Sequence, residues 1–292
     1  MLGSGDAGKA MPEPSSAPTE LSVKASLDTA SVSVRDMVCH GGCAHRGPEE
    51  CAASTYLVFP YRGVYVRHVG RDQVVADANH VVFFNADEGY RIAHPLEGSD
   101  ASLSLQLPPA LLDELAPAAL LNGQANPGFR MQQRRIDTDA QALVASLRYG
   151  LEQGTMEPLE AEGLLLDLVA RSLGPRRSHG THATEGQQRL ANRVKLLLSS
   201  DLSRRWSLAE VGAEIGASPV YLTQVFQKVE GIPLYRYQLR LRLAHALDRM
   251  AGASVDLSAL AADLGFSSHS HFTAAFRQAY GQTPADFRRG TR

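Results

Sequence analysis

The sequence predicts an α+β chain of two domains: short strands forming a barrel or sandwich and followed by helices, then an all-α C-terminal domain. Three observations predict it. Six short segments rich in Val, Phe, Tyr and Ser lie between Ser31 and Leu107, separated by turn residues. From Pro108 the apolar residues recur at helical spacing instead. Near the C-terminus one helix-turn-helix pattern occurs twice, with the second copy about fifty residues after the first.

The chain has 292 residues, 44% hydrophobic and 21% charged, which suits a globular protein of two domains. Its net charge of −2 hides an asymmetry. From Gln187 onward there are 14 Lys and Arg against 8 Asp and Glu, and the remainder holds 15 against 23. A basic C-terminal part suits a nucleic-acid module. No apolar run approaches the ~18 residues that cross a bilayer. The first twenty residues, MLGSGDAGKAMPEPSSAPTE, lack the apolar core of a secretory signal, and their composition predicts a disordered tail over 1–30. The three cysteines cannot all pair with one another, so reduced thiols in a cytoplasm are expected.

The strands are expected in SVSVRDMV, TYLVF, GVYVRHV, QVVADA, HVVFFNA and SLSLQL, with a tight hairpin at Gly63. Pro109–Leu115 reads as a short helix opened by prolines, and Thr138–Gln153 as a longer one. In Glu157–Leu173 the residues Leu159, Leu166 and Leu173 recur at seven, with Gly163 and Ala170 between them. Such a recurrence is either a helix-pairing seam between two copies or a stripe packed on the barrel. GPRRSHGTHATEG, residues 174–186, has turn residues without periodicity and reads as a linker. The domains are therefore expected at 31–173 and 187–292.

In the first C-terminal unit Leu208, Val211 and Ile215 are expected to be buried, Gly216 to turn the chain, and Ser218-Pro219 to start the second helix. Leu222, Val225, Phe226 and Val229 would face the core. Val220, Tyr221, Thr223, Gln224, Gln227 and Lys228 would face outward. In the second unit Leu257, Leu260 and Leu264 are expected inside, Gly265 at the turn, and Phe272, Phe276 and Tyr280 beneath the second helix. His269, Ser270, Thr273, Ala274 and Arg277 would face outward. The second copy has one more residue between its turn glycine and its buried aromatic, which predicts a slightly longer turn. A helix-turn-helix lays its second helix in the major groove. There Gln reads adenine through two hydrogen bonds, Thr reads polar edges or a thymine methyl, and Lys suits phosphate.

Between the units LYRYQLRLRLAHALDRM predicts one helix, with Leu239, Leu243, Ala246 and Met250 on one face and Arg236, Arg240, Arg242 and Arg249 available to solvent or phosphate. At 1.5 Å per residue it spans roughly 25 Å, a rod able to place two recognition helices in successive grooves about 34 Å apart. Trp206, the only Trp, is expected to anchor the first unit's core.

The C-terminal hundred residues resemble the AraC/XylS family of bacterial transcription regulators. The resemblance rests on Gly265-Phe266-Ser267, Phe272, Phe276-Arg277, Gly281, Thr283-Pro284 and Phe287-Arg288, where Phe287 replaces the family's usual Tyr. It implies a cupin-like N-terminal sensing barrel followed by dimerising helices. The implied partners are double-stranded DNA, RNA polymerase, a small effector and a second copy of the chain, with no membrane. No cofactor and no catalytic set are expected.

Cys39, His40, Cys43, His45 and Cys51 gather thiols and imidazoles within thirteen residues. They suit a thiophilic metal, a redox- or electrophile-sensitive thiol, or a loop with no chemical role. A DNA-repair protein with a metal-held alkyl-accepting cysteine module on such a domain is the alternative reading. It needs four thiolates, and the chain has three cysteines. Tyr65, Arg67, His68, His80, Tyr90, Arg91 and His94 are candidates to line a pocket in the barrel, with Arg67 or Arg91 holding a carboxylate.

Overall fold

The computed structural model describes residues 21–40, 45–123, 127–174, 183–251 and 255–290. Its strands are β1 (Leu21–Asp28), β2 (Ser33–Cys39), β3 (Glu50–Cys51), β4 (Tyr56–Arg62), β5 (Tyr65–Val69), β6 (Asp72–Ala76), β7 (His80–Phe84), β8 (Gly89–Ala93), β9 (Asp100–Gln106) and β10 (Gln133–Arg135). They form two sheets, ordered β1-β2-β9-β4-β7-β10 and β3-β8-β5-β6.

The central strands of the larger sheet, β9, β4 and β7, are buried on both faces, and alternation along β9 shows how. Ala101, Leu103 and Leu105 join Leu57, Phe59, Val81 and Phe83 in a core beneath helices. Asp100, Ser102 and Ser104 point the other way, into a cavity between the sheets. The helical layer is α1 (Pro109–Leu115), α2 (Thr138–Gln153) and α3 (Pro158–Leu173). Asp137 caps α2 by accepting from the Ala140 N–H, and Gly154 ends it in a left-handed conformation.

The C-terminal domain holds α4 (Glu185–Ser200), α5 (Leu208–Ile215), α6 (Pro219–Glu230), α7 (Leu234–Ala251), α8 (Leu257–Asp263), α9 (His269–Tyr280) and α10 (Pro284–Gly290). Reciprocal capping boxes open α4 (Thr184 with Gln187) and α5 (Ser207 with Glu210). Two separate cores lie under the two units. One holds Val211, Ile215, Leu222, Phe226 and Tyr237, with Trp206 packed beside it. The other holds Leu260, Leu264, Phe272, Phe276 and Phe287.

Several expectations are corrected. The tail ends sooner than residue 30, because Leu21–Asp28 pairs with β2 as an edge strand. The mixed run LSVKASLD carries its strand signal weakly, and its partner supplies the rest. Residues 1–20 lie outside the description. Strands β8 and β10 also escape a pattern reading, being short and half-exposed. Gly63 makes no hairpin. It adopts φ +65°, and its neighbours β4 and β5 belong to different sheets, so it turns a corner between them. A Cβ there would lie 2.7 Å from the Ser99 carbonyl oxygen. Helix α4 begins inside the expected linker, at Glu185. Leu208, expected inside, is exposed at 42%, and Leu159, at 81%, does not pack on the barrel. Among the described residues no helix is long and apolar enough to cross a membrane.

Candidate nucleic-acid interface

Helices α6 and α9 are built alike. Ser218 caps α6 by accepting from the Tyr221 N–H, and Ser268 caps α9 by accepting from the His271 N–H. Glycines in the left-handed region, Gly231 and Gly281, end them. The N-cap follows the turn glycine by two residues in the first unit and by three in the second, so the longer second turn is present. Leu222, Val225 and Phe226 hold α6 down, and Phe272, Ala275 and Phe276 hold α9.

The outward faces carry the residues that the sequence points to. Val220, Tyr221, Gln224 and Gln227 are exposed on α6, and His269, Ser270, Ala274 and Arg277 on α9. Three others are placed differently. Thr223 is half-buried and donates to the Val220 carbonyl at 2.9 Å. Lys228 donates from Nζ to Gln187 Oε1 at 3.0 Å, tying α6 to α4. Thr273 is half-buried with its hydroxyl oxygen unpaired. With Thr283 it lines a concave surface bounded by His269, Ser270, Ala274 and Arg277.

A short segment locks the two units together. Arg242 donates to the carbonyls of Leu202 and Arg204 at 2.7 Å each, and Gln238 donates to Arg204 at 3.0 Å. Arg205 then donates to the Gly265 carbonyl at 3.1 Å. This corrects the expected arginine face of α7. Arg242 is committed to backbone and Arg249 pairs with Asp263 at 2.9 Å, while Arg236 is exposed. Helix α7 is buried almost all round, because β4 and α2 pack against it.

The N-terminal domain meets the C-terminal domain through a buried ionic bridge. His80 on β7 places Nδ1 3.0 Å from Asp77 Oδ1 and Nε2 3.1 Å from Glu230 Oε2 at the end of α6. Lys195 on α4 reaches Glu230 Oε1 at 2.7 Å. Tyr237 on α7 donates to Asp77, and Arg135 on β10 donates to the Glu230 carbonyl. Burial and Lys195 disfavour a charged His80 ring, but the carboxylates of Glu230 and Asp77 outweigh them and raise its pKa. Burial would raise the Glu230 carboxyl, yet Lys195 and His80 hold it down at about 2. Two acids thus face two cations with little net charge left in the interior. A second bridge joins Asp248 on α7 to Arg62 at 2.8 Å and Arg148 at 2.7 Å. The domains meet on α4, α7, the far end of α6 and the C-terminal end of α9, where Tyr280 donates to Gln141, and the outward faces of α6 and α9 stay uncovered.

The candidate sensor residues are divided between these places. His80 serves the domain bridge. Arg67 is fully buried, paired with Glu88 at 2.7 Å and stacked on Phe84, and Arg91 pairs with Glu49 at 3.1 Å. Neither guanidinium is turned to a free carboxylate. Of the cysteine and histidine cluster, Cys39 is buried, His40, His45 and Cys51 are exposed, and Cys43 lies outside the described residues. Among the described residues one group brings metal-type ligand atoms within 4.8 Å of one another: Cys39, His94 and Asp100. Neither His94 nor Asp100 is near Cys39 in sequence, so spacing could not reveal the grouping. Tyr65, Tyr90 and His94 line the inter-sheet cavity with Cys39 and Cys51.

Residues 211–290 match a family of helix-turn-helix domains. Regulatory protein PocR of Salmonella typhimurium is 29% identical over 126 residues, and the match spans 42% of this chain and 42% of PocR. The HTH-type transcriptional regulator GadX of Escherichia coli O6:H1 is 24% identical over 248 residues, covering 85% of this chain and 86% of GadX. A solved structure of fatty-acid-bound ToxT from Vibrio cholerae covers 90% of this chain and 96% of ToxT, at 12% identity and a TM-score of 0.36.

Proposed function

We infer that this DNA-binding transcription regulator, which resembles the AraC/XylS family, reads adjacent segments of one duplex with its two units under control of the N-terminal domain. One observation carries this reading. The outward faces of α6 and α9 are both free, while a buried bridge from β7 reaches α4, α6 and α7 behind them. A small effector that repacks the barrel would act on the spacing or mobility of the recognition helices through that bridge. RNA polymerase is the partner whose recruitment the bound regulator would alter, and the cytoplasm is its place of action.

The dimer expected from α3 takes a modified form. Leu173 is buried against its own domain, and Leu165, Leu168 and Val169 form the inner face. Leu159, Gly163 and Ala170 are exposed and Leu166 is half-exposed, making an outer stripe at helical spacing. We propose this stripe as the pairing face. Two copies would then engage paired DNA sites with added avidity.

Selection of duplexes from a random pool by the purified full chain tests the central reading. Two short motifs about one helical turn apart are expected. Recovery of sequences no different from the starting pool would refute sequence-specific recognition.

A further inference from the structure

Three side chains meet at one end of the inter-sheet cavity. Cys39 closes β2, His94 follows β8, and Asp100 opens β9, where it stands directly opposite Cys39 in the ladder. Cys39 Sγ lies 3.5 Å from His94 Nε2, and His94 Nδ1 lies 2.6 Å from Asp100 Oδ2. All three are buried, at 5%, 8% and 8% exposure. With Asp100 accepting from Nδ1–H, Nε2 is the nitrogen left to face the thiol as a base. Transfer of the thiol proton to Nε2 leaves a thiolate beside an imidazolium, oriented and stabilised by the carboxylate behind it. Asp100 Oδ2 is taken up by Nδ1 on the far side of the ring, so it serves to orient the imidazole whose other nitrogen faces the thiol. That favours nucleophile chemistry over a metal cage.

The cavity shows what the thiolate would meet. It has a volume of about 490 Å3, and Met37, Val58, Phe84 and Ile92 give it apolar walls. Tyr65 also lines it, with its hydroxyl buried beside Ser102. Cys51 lines the same cavity but is exposed, and its thiol lies 4.0 Å from the Ala52 carbonyl oxygen, with no imidazole hydrogen-bonded to it among the described residues.

We propose that Cys39 is a covalent modification site for an apolar α,β-unsaturated carbonyl compound that enters the barrel, and that the adduct is the effector-bound state. The proposal rests on the reading of the N-terminal domain as effector-responsive. Sulfur bonds to the β-carbon of the alkene, and the π electrons move to the α-carbon and carbonyl as an enolate. The proton first taken by His94 Nε2 is returned to the α-carbon. The Tyr65 hydroxyl, which lines the same cavity, is a donor for the carbonyl oxygen as its charge grows. Nothing leaves, no oxidant is consumed, and the product is a thioether filling the cavity. Strand β7 offers a route onward, because Phe84 at one end lines the cavity and His80 at the other holds the domain bridge.

The test exposes the full chain to trans-2-nonenal and follows each cysteine by peptide mass spectrometry. Cys39 is expected to react at least tenfold faster than Cys51, although exposure alone predicts the reverse; faster reaction at Cys51 overturns the proposal. His94→Gln should slow Cys39 at least tenfold and leave Cys51 unchanged, and an unchanged Cys39 rate overturns it. If that variant fails to fold by circular dichroism, the order of reaction in the unaltered chain decides. A metal ion retained in the native mass spectrum and lost in Cys39→Ser would make the group a metal site instead and likewise overturn it. DNA affinity is measured on the same samples. Failure to bind selected duplexes counts against the regulator reading, whereas slow Cys39 counts against this site alone.

Discussion

At the scale of single residues, the outward face of α6 makes the sharpest prediction. Gln224 is exposed, six residues past the N-cap, and among the described residues no side-chain hydrogen bond engages its amide. Gln224→Ala should weaken binding to the selected site by about 1–3 kcal/mol and relax the preference at one base pair. Titration against specific and random duplexes checks this, and equal losses on both would mean that Gln224 reads no base. The two turn glycines make a second test. Gly216 and Gly265 share a left-handed backbone, at φ +72° and +74°. Around Gly216 there is open space, but a Cβ at Gly265 would collide with the Ser203 carbonyl. Gly216→Ala should therefore cost only the backbone term, roughly 1–2 kcal/mol. Gly265→Ala should cost clearly more and loosen the Arg205 link between units. Thermal melts of the two variants give the comparison, and equal costs would show that the close approach has no energetic weight.

At the scale of elements, α3 shows how far periodicity carries. A strict seven-residue repeat drifts by ~20° per heptad on a straight helix. That drift, together with what packs beside each turn, takes Leu159, Leu166 and Leu173 from exposed through half-exposed to buried along α3, and only part of the repeat remains available to a partner. Leu166→Glu should dissociate a dimer while the chain stays folded. Sedimentation alongside thermal melting separates the outcomes, since a lowered melting point with an intact dimer would place Leu166 in its own domain's packing. Helix α7 teaches the converse. Its 18 residues, about 27 Å at the usual rise, were legible as a helix, but its arginines read as a solvent face. Backbone carbonyls and Asp263 take Arg242 and Arg249, and a neighbouring domain covers most of the rest.

At the scale of the whole molecule, domain docking should depend on pH through His80. Asp77, Lys195, Glu230 and Tyr237 face its ring from the β6–β7 turn, α4, α6 and α7. Because its pKa is raised on folding, its contribution is complete below the ordinary histidine value of ~6.5 and is lost as pH rises through the folded value. Glu230 is held at about 2, so its contribution fades only as pH falls below the ordinary carboxylate range toward that value. Melting of the chain and of His80→Gln between about pH 5.5 and 9 should show the unaltered chain losing its advantage as pH rises; parallel curves would mean a neutral ring. The C-terminal domain should also survive alone. Its two cores borrow only Ala78 and Ala145 from the other domain, and Lys195 and Glu230 keep each other when His80 is removed. A fragment of residues 185–292 is expected to fold at a lower melting temperature and to bind DNA with steep salt dependence. An unfolded fragment by circular dichroism would show that docking is obligatory.

Local chemistry determined the tandem units: turn glycines, serine caps, buried aromatics and the charge asymmetry are all written within a few residues of where they act. Hence the outward placement of Gln224, Gln227, His269, Ser270 and Arg277 on α6 and α9 was legible in the sequence. Tertiary structure alone decided which residues meet across long separations. Strand pairing sets Cys39 opposite Asp100 and brings His94 to both, and domain docking sets His80 against Glu230, 150 residues away. Such pairs carry no periodic signal, because their partners are chosen by sheet order and interface packing rather than by neighbours along the chain. Burial follows the same logic. Leu208 and Leu159 belong to apolar patterns that fit a helix, but only the packing of the folded chain leaves them in solvent.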